Sequence, residues 1–205
     1  MPTVMFHRER IPTAVGTLIL LTDEQDRLRA LDWEDYDPRM RNLLRLQYGV
    51  DGVHWVDRHR SSSVRQRLDS YFAGDLSAID SIAVETHGTA FQHEVWAALR
   101  RIPVGQTLSY GALARKIGRP KAVRAVGMAN GANPVGIVVP CHRVIGADAS
   151  LTGYGGGLPR KRWLLEHEGV KDVGCGRSRY RTTEAELSES GVDCPSARAS
   201  SPTGS

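Results

Sequence analysis

Helix start and stop signals crowd the stretch from Thr89 to Gly131, and they constrain the chain more than anything else in it. Thr89 followed by Gln92 has capping-box spacing, and Phe91, Val95, Leu99 and Ile102 then mark one apolar face. Pro103 and Gly105 end that helix. Ser109 caps a second, short helix with Leu113, Ala114 and Ile117 facing inward, and Gly118-Arg119-Pro120 makes a tight turn. Lys121 to Ala129 reads as a third, alanine-rich helix ending near Gly131. Two short helices about a glycine turn have the pattern of a helix-turn-helix, and equally of any helical hairpin.

The flanking segments differ in kind. In the first, to about Glu85, Gly16–Leu21 and Leu28–Trp33 read as two strands joined by the polar run Thr22 to Arg27. Ser62 to Ala73 reads as a helix with Val64, Leu68, Tyr71 and Phe72 at helical spacing, stopped by Gly74. A small α+β domain fits, and nothing in it suggests catalysis. After the third helix, Gly136–Val139 reads as a buried strand running into Pro140-Cys141-His142-Arg143-Val144. A glycine-rich loop, Gly153 to Gly157, and a helix from Lys161 to Glu168 follow, with Gly169 as its stop. Residues 171–205 are rich in Ser, Gly, Arg and Glu and poor in apolar side chains, so they are expected to be a disordered tail. The boundaries are therefore 1–85, 86–170 and 171–205.

Charge and cysteine content narrow the function classes. Residues 1–85 hold 11 Lys and Arg against 14 Asp and Glu, whereas residues 86–169 hold 11 against 4. A basic middle third beside an acidic first third suits contact with an anion such as nucleic acid, or a solvated basic face. Three cysteines, Cys141, Cys175 and Cys194, with no secretory leader argue against a disulfide framework and are too few for a four-cysteine zinc site. No apolar run is long enough to span a bilayer, and a cytoplasmic protein is expected.

Cys141 is the candidate nucleophile. At a strand end it would be rigidly aimed and open to a substrate. Its thiol needs activation at neutral pH, and His142 is the nearest base. Neighbouring residues do not face each other in a strand or a helix, so a bridging water or a sharp turn would be required. A third group should orient the imidazole, and Glu168 is a candidate. The glycine loop is followed by no Lys-Ser/Thr, which argues against a nucleotide-binding P-loop.

Taken together and in order, Arg124-Ala125-Val126-Gly127, Asn133-Pro134, Pro140-Cys141-His142-Arg143-Val144, Gly153-Tyr154-Gly155-Gly156 and Trp163-Leu164-Leu165-Glu166-His167-Glu168-Gly169 resemble the O6-alkylguanine-DNA alkyltransferases, and within them the constitutive bacterial type. The resemblance is close from about Thr86 to Gly169 and loose before it. It implies an α+β fold: a small N-terminal α/β (RNase H-like) domain followed by a mostly helical, winged helix-turn-helix-like alkyltransferase domain. It implies a protein that transfers a methyl or alkyl group from O6-alkylguanine, and from O4-alkylthymine, in double-stranded DNA to its own cysteine, once. The thioether product requires no cofactor and no metal, and a one-shot acceptor needs no partner subunit, so a monomer is expected.

The same resemblance assigns roles. Cys141 accepts the alkyl group, His142 deprotonates it through a water, Glu168 holds His142, and the Tyr110 hydroxyl helps the guanine leave. Arg124 fills the stack vacated by the flipped base, with Ala125 beside it on a helix that enters the minor groove. Asn133 supports the turn near the site, and Val144, Tyr154, Gly155 and Gly156 line the base pocket. Family members often carry a serine or another small residue where Gly155 stands, so a roomier pocket tolerant of alkyls larger than methyl is expected here. Three rivals make different predictions. A sequence-specific regulator would not need Cys141. A lesion-sensing alkyltransferase-like protein would lack it. A cysteine hydrolase would turn over many times.

Overall fold

In the computed structural model, residues 4–50 and 52–171 are described, and the expected tail beyond Lys171, with Cys175 and Cys194, lies outside them. The first half is a four-stranded sheet in the order β3-β2-β1-β4, built from β1 (Val4–Thr13), β2 (Gly16–Thr22), β3 (Leu28–Trp33) and β4 (Val53–Asp57). β1, β2 and β3 form an antiparallel meander, and β4 returns parallel to β1. The two strands expected from sequence are β2 and β3. They show little polar alternation because both faces of the sheet are covered. Leu18 and Leu20 enter one core, whereas Ile19 and Leu21 enter another with Phe6, Met40, Leu44 and Tyr48.

α1 (Asp37–Tyr48) covers the second face, with Pro38 in its first turn, and α2 (Ser63–Phe72) packs on the first face. Ser62 caps α2 by accepting from the Arg65 N–H. Sequence reasoning did not find β1, α1 and β4. β1 mixes Arg, Glu and His with apolar residues, and β4 is a short edge strand with exposed side chains.

The second half is mostly helical. α3 (Ala90–Arg100) starts at Thr89 with the complete capping box to Gln92, an arrangement that typically stabilises a helix start by ~1 kcal/mol. α4 (Tyr110–Lys116) is capped by Ser109, and after the Gly118 turn α5 runs Val123–Gly131, two residues later than expected. Two short parallel strands, β5 (Leu108–Ser109) and β6 (Val144–Ile145), flank these helices. α6 (Leu158–His167) begins three residues early, because Pro159 occupies its first turn.

One apolar core joins the two halves. It runs from Leu20, Leu31 and Trp33 through Leu68 and Tyr71 to Val95, Leu99, Val126 and Leu164. Each such leucine, fully buried, contributes about 1.5–3 kcal/mol. Among the described residues no helix is long and apolar enough to cross a membrane.

The expected strand Gly136–Val139 does not form. Val135 makes a single bridge to Leu31, with the Leu31 N–H donating to the Pro134 carbonyl (2.9 Å) and the Gly136 N–H to the Leu31 carbonyl (3.1 Å). The chain then turns, with Ile137 at φ 71°. Asn133 causes the turn. Its Nδ2 donates to the Val139 carbonyl (2.8 Å) and its Oδ1 accepts the Val135 N–H (3.1 Å), so both groups are satisfied without a neighbouring strand. The apolar run at 135–139 is instead buried in a closed loop pinned to the sheet edge.

Candidate active site

Because of that turn, Cys141 opens a single 3₁₀ turn, Cys141–Arg143, rather than ending a strand. The tight turn projects three consecutive side chains inward, and all three are buried. The open strand end expected from sequence is thus corrected: Cys141 is only 5 % exposed and is the one free cysteine among the described residues. Burial pushes its thiol pKa up, while Asn133 and the cations of Arg39 and Lys161 pull it down. On balance the thiol rests protonated and needs a base.

His142 Nε2 lies 3.0 Å from Glu168 Oε1. A carboxylate only accepts, so Nε2 carries the hydrogen in this pair. Burial lowers the His142 pKa, against the pull of Glu168, and the ring is neutral near pH 7. Nδ1 is then a lone-pair acceptor, and it is buried with no protein partner. Glu168 follows α6 directly and is fully buried at its side chain. Arg143 grips it through Nε to Oε2 and Nη2 to Oε1, both 2.8 Å, and donates Nη1 to the Ile102 carbonyl (2.6 Å). These donors outweigh burial and hold the Glu168 carboxyl far below the usual range.

The remaining expected residues fall around this centre. Tyr110, the first residue of α4, is half-buried, and burial raises its pKa, as would the charge on Cys141 once that thiol ionises, so its hydroxyl remains a donor. Its neighbours Thr152 and Asn130 act the other way. Val144 is buried in β6, and Lys161 Nζ donates to its carbonyl and to that of Thr152, 2.5 Å each. That buried lysine ties α6 to the strand after Cys141 and to Thr152, the residue before the glycine loop. Tyr154 meets the His142 ring edge-on at 6.5 Å. Arg124 and Ala125 are exposed on α5 with Met128, which is 77 % exposed, and Arg124 makes no ion pair among the described residues.

The roomier pocket expected from Gly155 is not found. A Cβ there would collide with the Arg39 guanidinium, and one at Gly156 would strike the Trp33 indole. The glycines are there for close approach of these two side chains, and the cavity bordering Cys141 on that side is about 10 Å³, room for about one water. Arg39 pairs with Asp32 and donates to the carbonyls of Gly131 (2.8 Å) and Asn133 (3.2 Å).

The first half of the chain is therefore not inert, although its sequence suggested no catalysis. Arg39, Asp32 and Trp33 reach the Cys141 side, and Tyr71 donates its hydroxyl to Glu168 Oε1 (2.8 Å). Sequence reasoning missed Arg143, Lys161, Arg39 and Tyr71 as site residues. Arg143 stood inside the quoted motif. Tyr71 was visible only as one apolar position of a helix.

Residues 90–170 match the family model described as the 6-O-methylguanine DNA methyltransferase, DNA binding domain. The chain is 54% identical over 161 residues to the methylated-DNA–protein-cysteine methyltransferase of Salmonella typhimurium, covering 78% of this chain and 94% of that protein. It is 50% identical over 155 residues to the enzyme of the same name from Methanosarcina acetivorans, covering 76% and 93%. Among solved structures it resembles Mycobacterium tuberculosis OGT in complex with DNA, with a TM-score of 0.65, 42% identity and coverage of 80% of this chain and 93% of that one.

Proposed function

The chain belongs to the methylated-DNA–protein-cysteine methyltransferase family, and on that premise we propose that it repairs alkylated DNA by moving the alkyl group of O6-alkylguanine onto Cys141, once per molecule. The observation that carries this reading is the buried His142, bonded through Nε2 to Glu168 and presenting an unpartnered Nδ1, in the residue next to the buried thiol of Cys141.

A water between Nδ1 and Sγ relays the thiol proton to His142. The thiolate then attacks the alkyl carbon, the S–C bond forms as the C–O6 bond breaks, and the electron pair leaves with the guanine. Imidazolium forming on His142 meets the Glu168 carboxylate, as in other base–carboxylate pairs. Tyr110, still protonated, donates a hydrogen bond to the charge growing on the purine and so lowers the barrier. The product is a thioether that no thiol exchange reverses, which makes the protein a single-use acceptor. O4-alkylthymine presents the same alkyl–oxygen bond and is a secondary substrate.

The DNA interface is the α4–α5 pair with β5 and β6, read as a winged helix-turn-helix in a domain at 86–170. The first domain, 1–85, has the meander-plus-parallel strand order that supports an RNase H-like reading. The outer face of α5 offers Arg124, Ala125, Gly131 and Met128, a nearly uncharged strip with small residues, which suits a minor groove better than a base-reading helix does. Arg124 enters the stack when the damaged base flips out, at a cost of a few kcal/mol. Val144, Tyr154, Gly155 and Gly156 form the wall that receives it, and Asn133 keeps the Cys141 turn in place. The protein acts as a monomer in the cytoplasm.

Intact mass after incubation with excess duplex DNA containing one O6-methylguanine tests the proposal. One methylene gained per chain, saturating and absent in Cys141→Ala, is the expected result. Tight lesion binding with no mass gain would indicate a lesion sensor, and many product molecules per chain would indicate a hydrolase.

A further inference from the structure

Besides the side chains that reach Cys141, the first half of the chain touches Glu168 through one hydroxyl. Tyr71, near the end of α2, is fully buried, and its hydroxyl donates to Glu168 Oε1 at 2.8 Å. The same oxygen accepts from His142 Nε2 (3.0 Å) and from Arg143 Nη2 (2.8 Å). Tyr71 is held rigidly at this point. Its carbonyl accepts from His167 Nε2 (2.8 Å), and Phe72, Trp163 and His167 stack beside it, clamping α2 onto α6.

We propose that Tyr71 is a positioning residue for alkyl transfer: its hydroxyl fixes the Glu168 carboxylate and shares the charge on the oxygen that faces His142, so that the first domain sets the basicity of the base. This rests on the reading of Cys141, His142 and Glu168 given above.

The physical argument is a competition for one oxygen. Each donor on Oε1 withdraws charge from it, and the less charge it keeps, the less it favours imidazolium on His142. Arg143 and Lys161 also oppose protonation of His142, and Glu168 alone among the facing charges favours it. Tyr154, edge-on to the ring, the neutral Cys141 thiol in the same turn, Tyr71 itself and His167 against the Tyr71 ring are the other titratable groups packed around the pair. Burial and the adjacent carboxylate keep the Tyr71 hydroxyl protonated, so it donates at every working pH. Removing it leaves Oε1 richer in charge, which makes His142 more basic, and leaves the carboxylate less firmly placed.

Tyr71→Phe keeps the ring and its packing while removing the donor. In single-turnover reactions on saturating O6-methylguanine duplex, its transfer rate constant should fall about tenfold, the scale of one hydrogen bond to a charged group. Affinity for the lesion duplex should stay within about twofold, and the acidic limb of the pH–rate profile should move to higher pH. Phe72→Leu, which loosens the same helix seam without touching Glu168, should leave that limb where it is.

A folded Tyr71→Phe with the parent's rate and limb overturns the proposal. So does a slower Tyr71→Phe whose limb has not moved, and so does a limb that moves equally in Phe72→Leu. If the parent itself gains no alkyl group at Cys141, the underlying reading fails instead, and that outcome is seen in the parent before any Tyr71 variant is made.

Discussion

Replacing Glu168 with Gln should destabilise the protein by about 3–5 kcal/mol at neutral pH, the cost of removing one partner of a buried ion pair. The environment justifies the upper part of the usual range for single substitutions. The Glu168 side chain is 0% exposed and that of Arg143 4%, and Arg143 has only the Ile102 carbonyl to fall back on. Glutamine also turns an amide N–H₂ toward donors that already point at it.

The pH dependence has a definite sign. The folded-state pKa of Glu168 is depressed below its ordinary 4.5 by His142 and Arg143. Its contribution is therefore complete above that ordinary value and is lost as the pH falls below it, by about 1.4 kcal/mol per unit. Urea unfolding followed by tryptophan fluorescence should show the gap between parent and Glu168→Gln narrowing from pH ~7 to pH ~3.5. A gap under about 1 kcal/mol at neutral pH, or one that widens toward acid, would refute the assignment of the Arg143–Glu168 pair as the buried electrostatic anchor of the site. The same variant should transfer alkyl groups about a hundredfold more slowly or worse, because the imidazolium loses its counter-charge.

Three further outcomes follow from the same geometry. Asn133→Ala strands the Val139 carbonyl and the Val135 N–H in the core and should cost about 2–5 kcal/mol in chemical denaturation; a loss below about 1 kcal/mol would show that the turn before Cys141 holds without it. Gly156→Ala drives a methyl into the Trp33 ring and should cost about 1–3 kcal/mol, readable as a lowered urea midpoint, whereas no change would mean the loop yields freely. Arg124→Ala should slow repair of duplex substrates while leaving transfer from the free alkylated base unaltered, and an equal effect on both would place Arg124 in the pocket instead of the DNA contact.

The sequence by itself determined the elements whose signals are local. The capping box at Thr89, the Ser109 cap and the glycine turn at Gly118 mark α3, α4 and α5 to within about two residues, because start and stop chemistry acts over one helical turn. The order of short motifs, through its resemblance to a known family, also put Cys141, His142 and Glu168 forward together. Residue type alone offered a thiol, a base and one candidate acid whose place it could not give.

Tertiary structure decided what depends on contacts between distant parts of the chain. The apolar run 135–139 has the composition of a strand, but Asn133 and the edge of β3 satisfy its backbone groups as a turn, and that turn buries Cys141. Gly155 looked like empty space until the Arg39 side chain, 116 positions earlier, filled it. Tyr71 looked like one apolar position among several until α2 packed on α6 and brought its hydroxyl to Glu168. A side chain's residue type is written locally, but the partner that completes its hydrogen bonds and charge is chosen only when the two halves close on one core.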